Sequence, residues 1–487
     1  MFKIVKCFVL PVLVLLVSCN SKKTNQTKQN TEKLNVVYIA VDDLNRWVGV
    51  MGGQAKTPNI DKLTAQGMLF TNAQCVVPAC NPSRVAVFTG LRPETTGQFT
   101  NAGNFRDKPG NAERLTMPQY LQKNGYETVA AGKLFHHPRG AAEEPAELSD
   151  DISWDYQHKN GVGTKGHDLY LDKNNQAAWL EGAMASYGAG GTGEAYISKF
   201  GVWGVTPEKK EETADWKNAV FSSEYLAKTH EKPFFLACGI FRPHSPQLAP
   251  QEFFDMYPLE SVKTPELPED DMLDIPEHIR TNFSSEFVGH VKEKNQLKKA
   301  MQGYLASVSF ADACIGEILK GLENGPNKNN TIVVLWTDHG WQLGQKNRWE
   351  KFSLWDMATN SPLIIKHPKK EFVSKRVDIP VSLLDLYPTM MDLLAIEKPT
   401  DLEGVSLTPF MENLSYNRVE PAIVTFEEGN ISVRKNEWNF IQYKNNTEEL
   451  YNHTSDPFEY TNIINKNGTE AIKNELRAYV TNLKSKK

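Results

Sequence analysis

Four short, largely apolar runs, each cut off by residues able to do chemistry, constrain this chain more than any other feature. Leu34–Val41 ends in Asp42-Asp43, and Tyr126–Ala131 ends in Gly132-Lys133-Leu134-Phe135-His136. Phe234–Gly239 leads into Phe241-Arg242-Pro243-His244, and Thr331–Trp336 into Thr337-Asp338-His339-Gly340. Runs of this length without polar alternation read as strands buried on both faces of a parallel sheet. Helical patterns lie between them. Thr57 and Pro58 open one as N-cap and first residue, and Thr116–Asn124 is another, ended by Gly125. A long one over Leu297–Leu322 sets Met301, Leu305, Val308, Ile315, Ile318, Leu319 and Leu322 on one face and stops at Gly325-Pro326. Strands alternating with helices predict an α/β domain, and ligands of such sheets sit beyond the carboxyl ends of the strands. If the four strands are neighbours, their tips converge on one crevice.

The rest of the chain departs from this pattern in three places. Residues 138–232, with a Gly188–Gly193 run, read as a variable insertion of loops over one face, ending in a helix near Glu211–Ala227. Beyond a helix near Leu383–Leu394 and the Leu402-Glu403-Gly404 region, residues 413–487 change character. Alternating strands at Ala422–Phe426, Ile431–Arg434, Asn439–Tyr443 and Glu449–Tyr451 predict a small antiparallel α+β subdomain, closed by an amphipathic helix from about Thr469. At the other end, Lys3 and Lys6 precede an apolar run over Phe8–Val17, and Leu16-Val17-Ser18-Cys19 resembles a bacterial lipobox. The run is short for a membrane span and has the form of a signal peptide. The expected organisation is a lipoprotein signal over 1–19 with Cys19 lipidated, a polar tether over 20–33, a catalytic domain over 34–412 and the subdomain over 413–487. That places the protein in the periplasm or at the cell surface, anchored to the outer membrane.

Composition enters here only as a limit. A charged fraction of 23% and a net charge of −5 over 487 residues are those of a soluble enzyme and argue against non-specific nucleic-acid binding. An anionic substrate would need a local positive pocket. Of six cysteines, Cys75, Cys80, Cys238 and Cys314 remain after the signal and the lipobox, too few and scattered for a disulfide framework. Pairing of Cys75 with Cys80 is a competing possibility.

Cys80-Asn81-Pro82-Ser83-Arg84, with Val85–Phe88 and Gly90 following, predicts a short buried helix with Cys80 just ahead of its N-terminus, where amides and dipole favour an anion or thiolate. On its own this cysteine reads at least as well as a small core residue. The surroundings shift the balance. Asp42, Asp43 and Asp338 offer hard oxygen ligands for Ca²⁺ or Mg²⁺. Arg84, Lys133, Lys351, His136 and His244 offer the opposite charge for a tetrahedral anion. Metal, cations and nucleophile together are what sulfuryl or phosphoryl transfer needs.

The Cys80 motif with Gly90-Leu91-Arg92-Pro93 resembles the signature of type I sulfatases. Val41–Asn45, Thr57–Asp61, Gly132–His136, Phe241–Pro246, Thr337–Trp341, Trp349–Lys351, Glu449–Asn452 and Ser455–Pro457 resemble further blocks of that family in its order. The likeness covers nearly all of the chain after the tether, except much of 138–210. Lys-X-Phe-His, Phe-X-Arg-Pro-His-Ser-Pro and Asp-His-Gly in place of Asp-Asn-Gly resemble iduronate-2-sulfatases in particular. The resemblance implies a large alkaline-phosphatase-like mixed sheet sandwiched by helices. It implies Ca²⁺ in preference to Mg²⁺, held by Asp42, Asp43, Cys80, Asp338 and His339, and Cys80 oxidised to formylglycine by a formylglycine-generating or sulfatase-maturing enzyme.

In the implied mechanism Arg84 holds the hydrated aldehyde and Asp338 assists its deprotonation. Lys133 and Lys351 neutralise the sulfate, His244 protonates the leaving sugar oxygen with Lys351 able to share that role, and His136 takes the proton as sulfate departs. Lys133, His244, Arg242 and Lys351 contact substrate, a sulfated mono- or oligosaccharide, with Lys346, Arg348 and Arg242 available to a uronate carboxylate. Two other readings are a phosphonate monoester or phosphodiester hydrolase of the same superfamily, and a glycan-binding lipoprotein without activity.

Overall fold

In a computed structural model of the chain, the described residues are 1–2, 33–136, 150–161, 203–283, 286–293, 295–368 and 375–485. The chain divides into Met1–Lys33 and Leu34–Lys487, and the account below concerns the second unit. The expected signal run, Cys19 and most of the 138–232 insertion, Gly188–Gly193 included, lie outside the described residues.

Asn35–Asp42 is the central strand, and why it is central is visible in its side chains. All eight residues are buried. Val37, Ile39 and Val41 point into one core while Val36, Tyr38 and Ala40 point into the other, the period of two that a doubly covered strand requires. Phe234–Pro243 and Thr331–Thr337 flank it in parallel, with Val41 opposite both Ile240 and Thr337. Glu127–Gly132 pairs in parallel beyond Phe234–Pro243, followed by Tyr156–His158. On the other side come Asn360–Lys366, Met68–Gln74 and the short Lys375–Val377. Asn360–Lys366 runs antiparallel to both of its neighbours and makes the sheet mixed. The four strands read from the sequence are thus contiguous and parallel, so their carboxyl ends meet.

One core lies under the long helix Leu297–Asn324 and its neighbour Ala214–Leu226. The other lies under Cys80–Thr89, Met117–Lys123 and Leu386–Leu393. Beyond them Ala422–Phe426, Asn430–Lys435, Trp438–Gln442 and Glu448–Asn452 form an antiparallel sheet in chain order. One face packs on Leu476 and Val480 of the helix Glu470–Ser485, and the other, through Val424, Ile441 and Tyr451, joins the second core. The architecture is the alkaline-phosphatase-like mixed sheet between helices, with a small C-terminal antiparallel sheet.

Two local expectations are revised. Cys80 is not ahead of its helix but is its first residue, with Ala79 as the extended N-cap. Thr57 stands at the N-cap of Pro58–Ala65 but makes no capping hydrogen bond. Asp312, on the long helix, supplies the cap instead. Its carboxylate accepts from Asn59 N and Ile60 N at 3.2 and 2.8 Å and from Asn59 Nδ2 at 2.8 Å. A carboxylate beside a helix N-terminus satisfies both the free amides and the dipole.

The two sheets are tied by buried charge. Asp356 meets Arg46 at 2.9 Å and Arg434, from the antiparallel sheet, at 3.2 Å. Burial alone would raise the Asp356 carboxyl, but Arg46 and Arg434 outweigh it and lower the group to about 2. A depressed folded-state pKa adds stability that is present above the unfolded value, about 4, and lost as pH falls toward 2. Asp356→Asn should therefore be less stable than wild type in urea at pH 7, with the gap narrowing by pH 3. An equal gap at both pH values would refute this assignment.

Candidate active site

The strand ends deliver the site. Asp42 closes the central strand, displaced by a register shift that sets it opposite Pro243. Lys133 follows Glu127–Gly132, whose last residue has φ 67 and comes so close to Gly239 that a Cβ there would lie 2.0 Å from the Gly239 carbonyl oxygen. Only glycine fits that approach. Asp338 and His339 follow Thr331–Thr337, and His244 follows Phe234–Pro243. Cys80 enters from its helix, whose ten residues are all buried.

Cys80 Sγ lies at the centre. Lys351 Nζ donates to it at 2.9 Å, His339 Nε2 is 3.4 Å away, and Asp42 Oδ1 is 3.5 Å away. Each of three carboxylates is matched to a cation. Lys133 Nζ donates to Asp42 Oδ2, Lys351 Nζ to Asp43 Oδ1 at 2.7 Å, and Arg84 Nε to Asp338 Oδ2 at 2.7 Å. Arg84 also donates to the carbonyl of Lys133 at 2.6 Å, tying the helix to the neighbouring strand end. Of these six charged groups none is more than 1% exposed. Removing a charge from water costs several kcal/mol unless it is paired, so this arrangement requires its own internal compensation.

The protonation states follow from that burial. Burial raises the Asp42 carboxyl, yet Lys133, His244, Arg84 and Lys351 together hold it well below the usual range. Asp43 is pushed up to about 7 by burial, against the pull of Lys351 and with the help of Asp42. Burial, then Lys133, drives His136 well below the normal imidazole range. His136 is half-buried and its Nδ1 makes no hydrogen bond among the described residues, as suits a neutral base. Burial, then Lys351, likewise lowers His244, whose Nδ1 donates to the Ser245 carbonyl at 2.6 Å while Nε2 faces Asp43 Oδ2 at 3.9 Å.

One ligand atom from each of Asp42, Asp43, Cys80 and His339 lies within 4.8 Å of the others. Asp43 Oδ2 is buried and accepts no hydrogen bond. A buried carboxylate oxygen without a donor, on a carboxyl raised by burial and by a second carboxylate, fits a divalent cation; the two carboxylates favour a hard ion, the Cys80 thiol and His339 imidazole a softer one. Asp338, expected among the ligands, is not in this group but stands beside it with both oxygens engaged. Oδ2 is held by Arg84, and Oδ1 accepts from His339 N at 3.1 Å and Asp43 N at 3.4 Å.

Other expected substrate groups are engaged by protein partners. Arg242 is fully buried, and its Nη1 donates to the carbonyls of His244 and Pro246 at 2.6 and 2.8 Å, so it shapes the His244 loop. Lys346 is buried against Asp271 at 2.7 Å, and Arg348 against Glu350 at 2.6 Å. Cys75, Cys80, Cys238 and Cys314 are all free, which removes the Cys75–Cys80 pairing.

Two supporting residues escaped sequence reading. Asp43 adopts φ 62, uncommon for a residue other than glycine. Tyr304, from the long helix, holds that turn by donating to Asp43 O at 2.9 Å and accepting from Asn45 N at 3.0 Å. Ser83 Oγ donates to the Asp338 carbonyl at 2.5 Å. A tyrosine amid the apolar face of a helix was the available signal, because its buried hydroxyl needs a partner.

Known proteins resemble this chain in sequence and in fold. A family model described as Sulfatase matches residues 34–396, and another, N-sulphoglucosamine sulphohydrolase, C-terminal, matches 344–486. A sulfatase of Formosa agariphila is 35% identical over 478 residues, covering 94% of this chain and 89% of that protein. Iduronate 2-sulfatase of Mus musculus is 32% identical over 419 residues, covering 81% and 71%. Among solved structures, a 2-O GAG sulfatase aligns with TM-score 0.69 at 23% identity over 93% of this chain and 92% of its own. The phosphonate monoester hydrolase of Agrobacterium radiobacter aligns with TM-score 0.73 at 18% identity over 93% and 96%. These two likenesses concern the fold.

The donor set predicts cation-dependent stability. A divalent cation that binds here, supplied at a hundredfold excess over its Kd, should stabilise the wild-type chain by about 2.7 kcal/mol. The shift in thermal midpoint should shrink in Asp43→Asn and in His339→Ala. A full shift in both variants would place the ion elsewhere.

Proposed function

Because the chain belongs to the sulfatase family and is a sulfuric ester hydrolase, we propose that it removes O-sulfate groups from sulfated sugars, with Cys80 matured to formylglycine and Ca²⁺ held by Asp42, Asp43, residue 80 and His339. The observation that carries this reading is Cys80 Sγ, buried within reach of Lys351, Asp42 and His339 and ringed by compensated charges. Matured and loaded, such a site supplies a hydrated aldehyde as nucleophile and a divalent charge that lowers the pKa of its hydroxyl.

The chain's own residues do the rest. Arg84, locked to Asp338 and to the Lys133 carbonyl, keeps residue 80 oriented. Lys133 and Lys351 present ammonium groups to the sulfate oxygens, and burial leaves little water to screen them. His244 gives the departing sugar oxygen its proton as the S–O bond breaks, with Lys351 able to share that task. A bound sulfate ester adds negative charge beside His244, which favours the imidazolium. His136, neutral in this environment, accepts the proton released as sulfate leaves. Asp338 holds Arg84 and, in this proposal, assists deprotonation at residue 80.

The substrate in this proposal is a mono- or oligosaccharide carrying an O-sulfate, with a 2-O-sulfated uronate supported by the likeness to iduronate 2-sulfatase. With Lys346 and Arg348 committed to Asp271 and Glu350, that preference rests on the likeness alone. The phosphonate monoester hydrolase reading is favoured by one observation, the fold match to such an enzyme. Export completes the proposal: the apolar run over Phe8–Val17 and the lipobox ending at Cys19 support an outer-membrane lipoprotein, matured at Cys80 by a partner enzyme. Labelling with a radioactive fatty acid should be lost in Cys19→Ala; label retained there would sink the anchor.

The deciding assay is sulfate release from a panel of sulfated oligosaccharides, with an aryl sulfate and an aryl phosphodiester for comparison. Sulfate esters should turn over faster than the phosphodiester, and Cys80→Ser should abolish turnover. A faster phosphodiester would favour the second reading, and wild-type activity in Cys80→Ser would end the nucleophile assignment.

A further inference from the structure

A groove of about 810 Å³ opens between the loop after the central strand, the sheet edge at Asn72 and Arg376, and the loop His453–Phe458 of the antiparallel sheet. None of Asp42, Asp43, Cys80, Lys133, Asp338, His339 or Lys351 lines it, so it is separate from the reaction centre. Its volume falls within the roughly 300–1,000 Å³ of small-molecule sites.

Its chemistry is specific in three respects. Arg46, Lys263, Arg376 and Arg434 line it against a single acid, Asp378. Arg46 and Arg434 share Asp356 behind the wall and Arg376 meets Asp378, whereas Lys263 is exposed and no acid of the described chain pairs with its ammonium. Two lining groups are buried without hydrogen-bond partners: Arg434 Nε, a donor, and Asn360 Oδ1, an acceptor. Buried donors and acceptors left unpaired cost about 1–3 kcal/mol each, so such a pair calls for a polar occupant. Finally, Trp47 is half-buried, and Phe458 is 39% exposed beneath the Arg46 guanidinium, 5.1 Å from the ring centroid. Flat apolar faces beside an amide, a guanidinium and an unpaired ammonium match a sugar ring that carries an anion.

We propose that this groove is a second binding site for a sulfated sugar unit. The choice of sulfate over other anions rests on the function proposed above. The positive rim attracts the anion, Arg434 Nε donates to a ring or hydroxyl oxygen, Asn360 Oδ1 accepts from a sugar hydroxyl, and Phe458 covers one face of the sugar.

The test is calorimetric binding of a heparin-derived hexasaccharide to the full chain in a Cys80→Ser background, so that the probe is not consumed. Its desulfated counterpart and inorganic sulfate serve as further probes. Lys263→Glu and Phe458→Ala alter exposed side chains and leave the fold intact. Each should weaken hexasaccharide binding, by about tenfold for the charge reversal, and leave aryl sulfate turnover of the otherwise wild-type enzyme unchanged. The desulfated probe should bind more weakly than the sulfated one. Unchanged affinity in both variants, or no hexasaccharide binding at all, overturns the proposal. Full displacement of the hexasaccharide by inorganic sulfate at equal concentration overturns the sugar-binding part. If the variants lose binding while no sugar releases sulfate, the substrate reading fails and the groove stands. If sugars release sulfate while both variants bind normally, the groove alone falls.

Discussion

Six fully buried charges at the tips of parallel strands set the terms for everything else in this structure. Asp42, Asp43 and Asp338 cannot remain ionised out of water without Lys133, Lys351 and Arg84 opposite them. Those partners arrive from a strand end, a distant loop and the Cys80 helix, so three separate elements must be placed to within a hydrogen bond of one another. The sheet solves this by running its four central strands in parallel, and the helices on both faces hold those strands in register. Removing any one partner leaves a bare charge in the core and perturbs more than catalysis.

Much of this was legible in the amino-acid sequence, and for a physical reason. A strand covered on both faces admits almost no polar residue, so Asn35–Asp42 and Thr331–Thr337 announce themselves, and the polar residues that end them stand out. Met68–Gln74 carries Thr71, Asn72 and Gln74, and Asn360–Lys366 begins with Asn360, Ser361 and Pro362, so neither has the apolar run that marks its neighbours. Their pairing depends on contacts made only after folding. The same limit applies to single side chains. Lys346 and Arg348 resemble substrate groups in a linear reading, yet Asp271 and Glu350 claim them. Asp312 caps a helix some 250 positions away, and Tyr304 reaches the Asp43 turn over a comparable span; no local pattern names either one's partner.

The signature around Cys80 divides into two kinds of residue. Cys80 and Arg84 face the charge cluster. Gly90 and Arg92 serve the architecture: Gly90 takes φ 70 at the end of the helix and accepts a hydrogen bond from Glu403 N at 3.0 Å, while Arg92 donates to the Ile423 carbonyl at 3.1 Å. One short segment therefore carries chemistry at its start and anchorage to the antiparallel sheet at its end. A motif can recur intact for both reasons at once, and only the geometry separates them.

Cys80 is wholly enclosed, within a helix that is itself buried from end to end. A macromolecular catalyst cannot reach a thiol in that position. Any enzyme that oxidises it has to meet the chain during or after synthesis but before the sheet and helices close over it. If Cys80 is converted as proposed, maturation and folding become competitors in time, and the yield of active protein would depend on their relative rates as much as on the stability of the finished fold. A host that folds this chain quickly and modifies it slowly would accumulate well-folded molecules with the unconverted cysteine sealed inside.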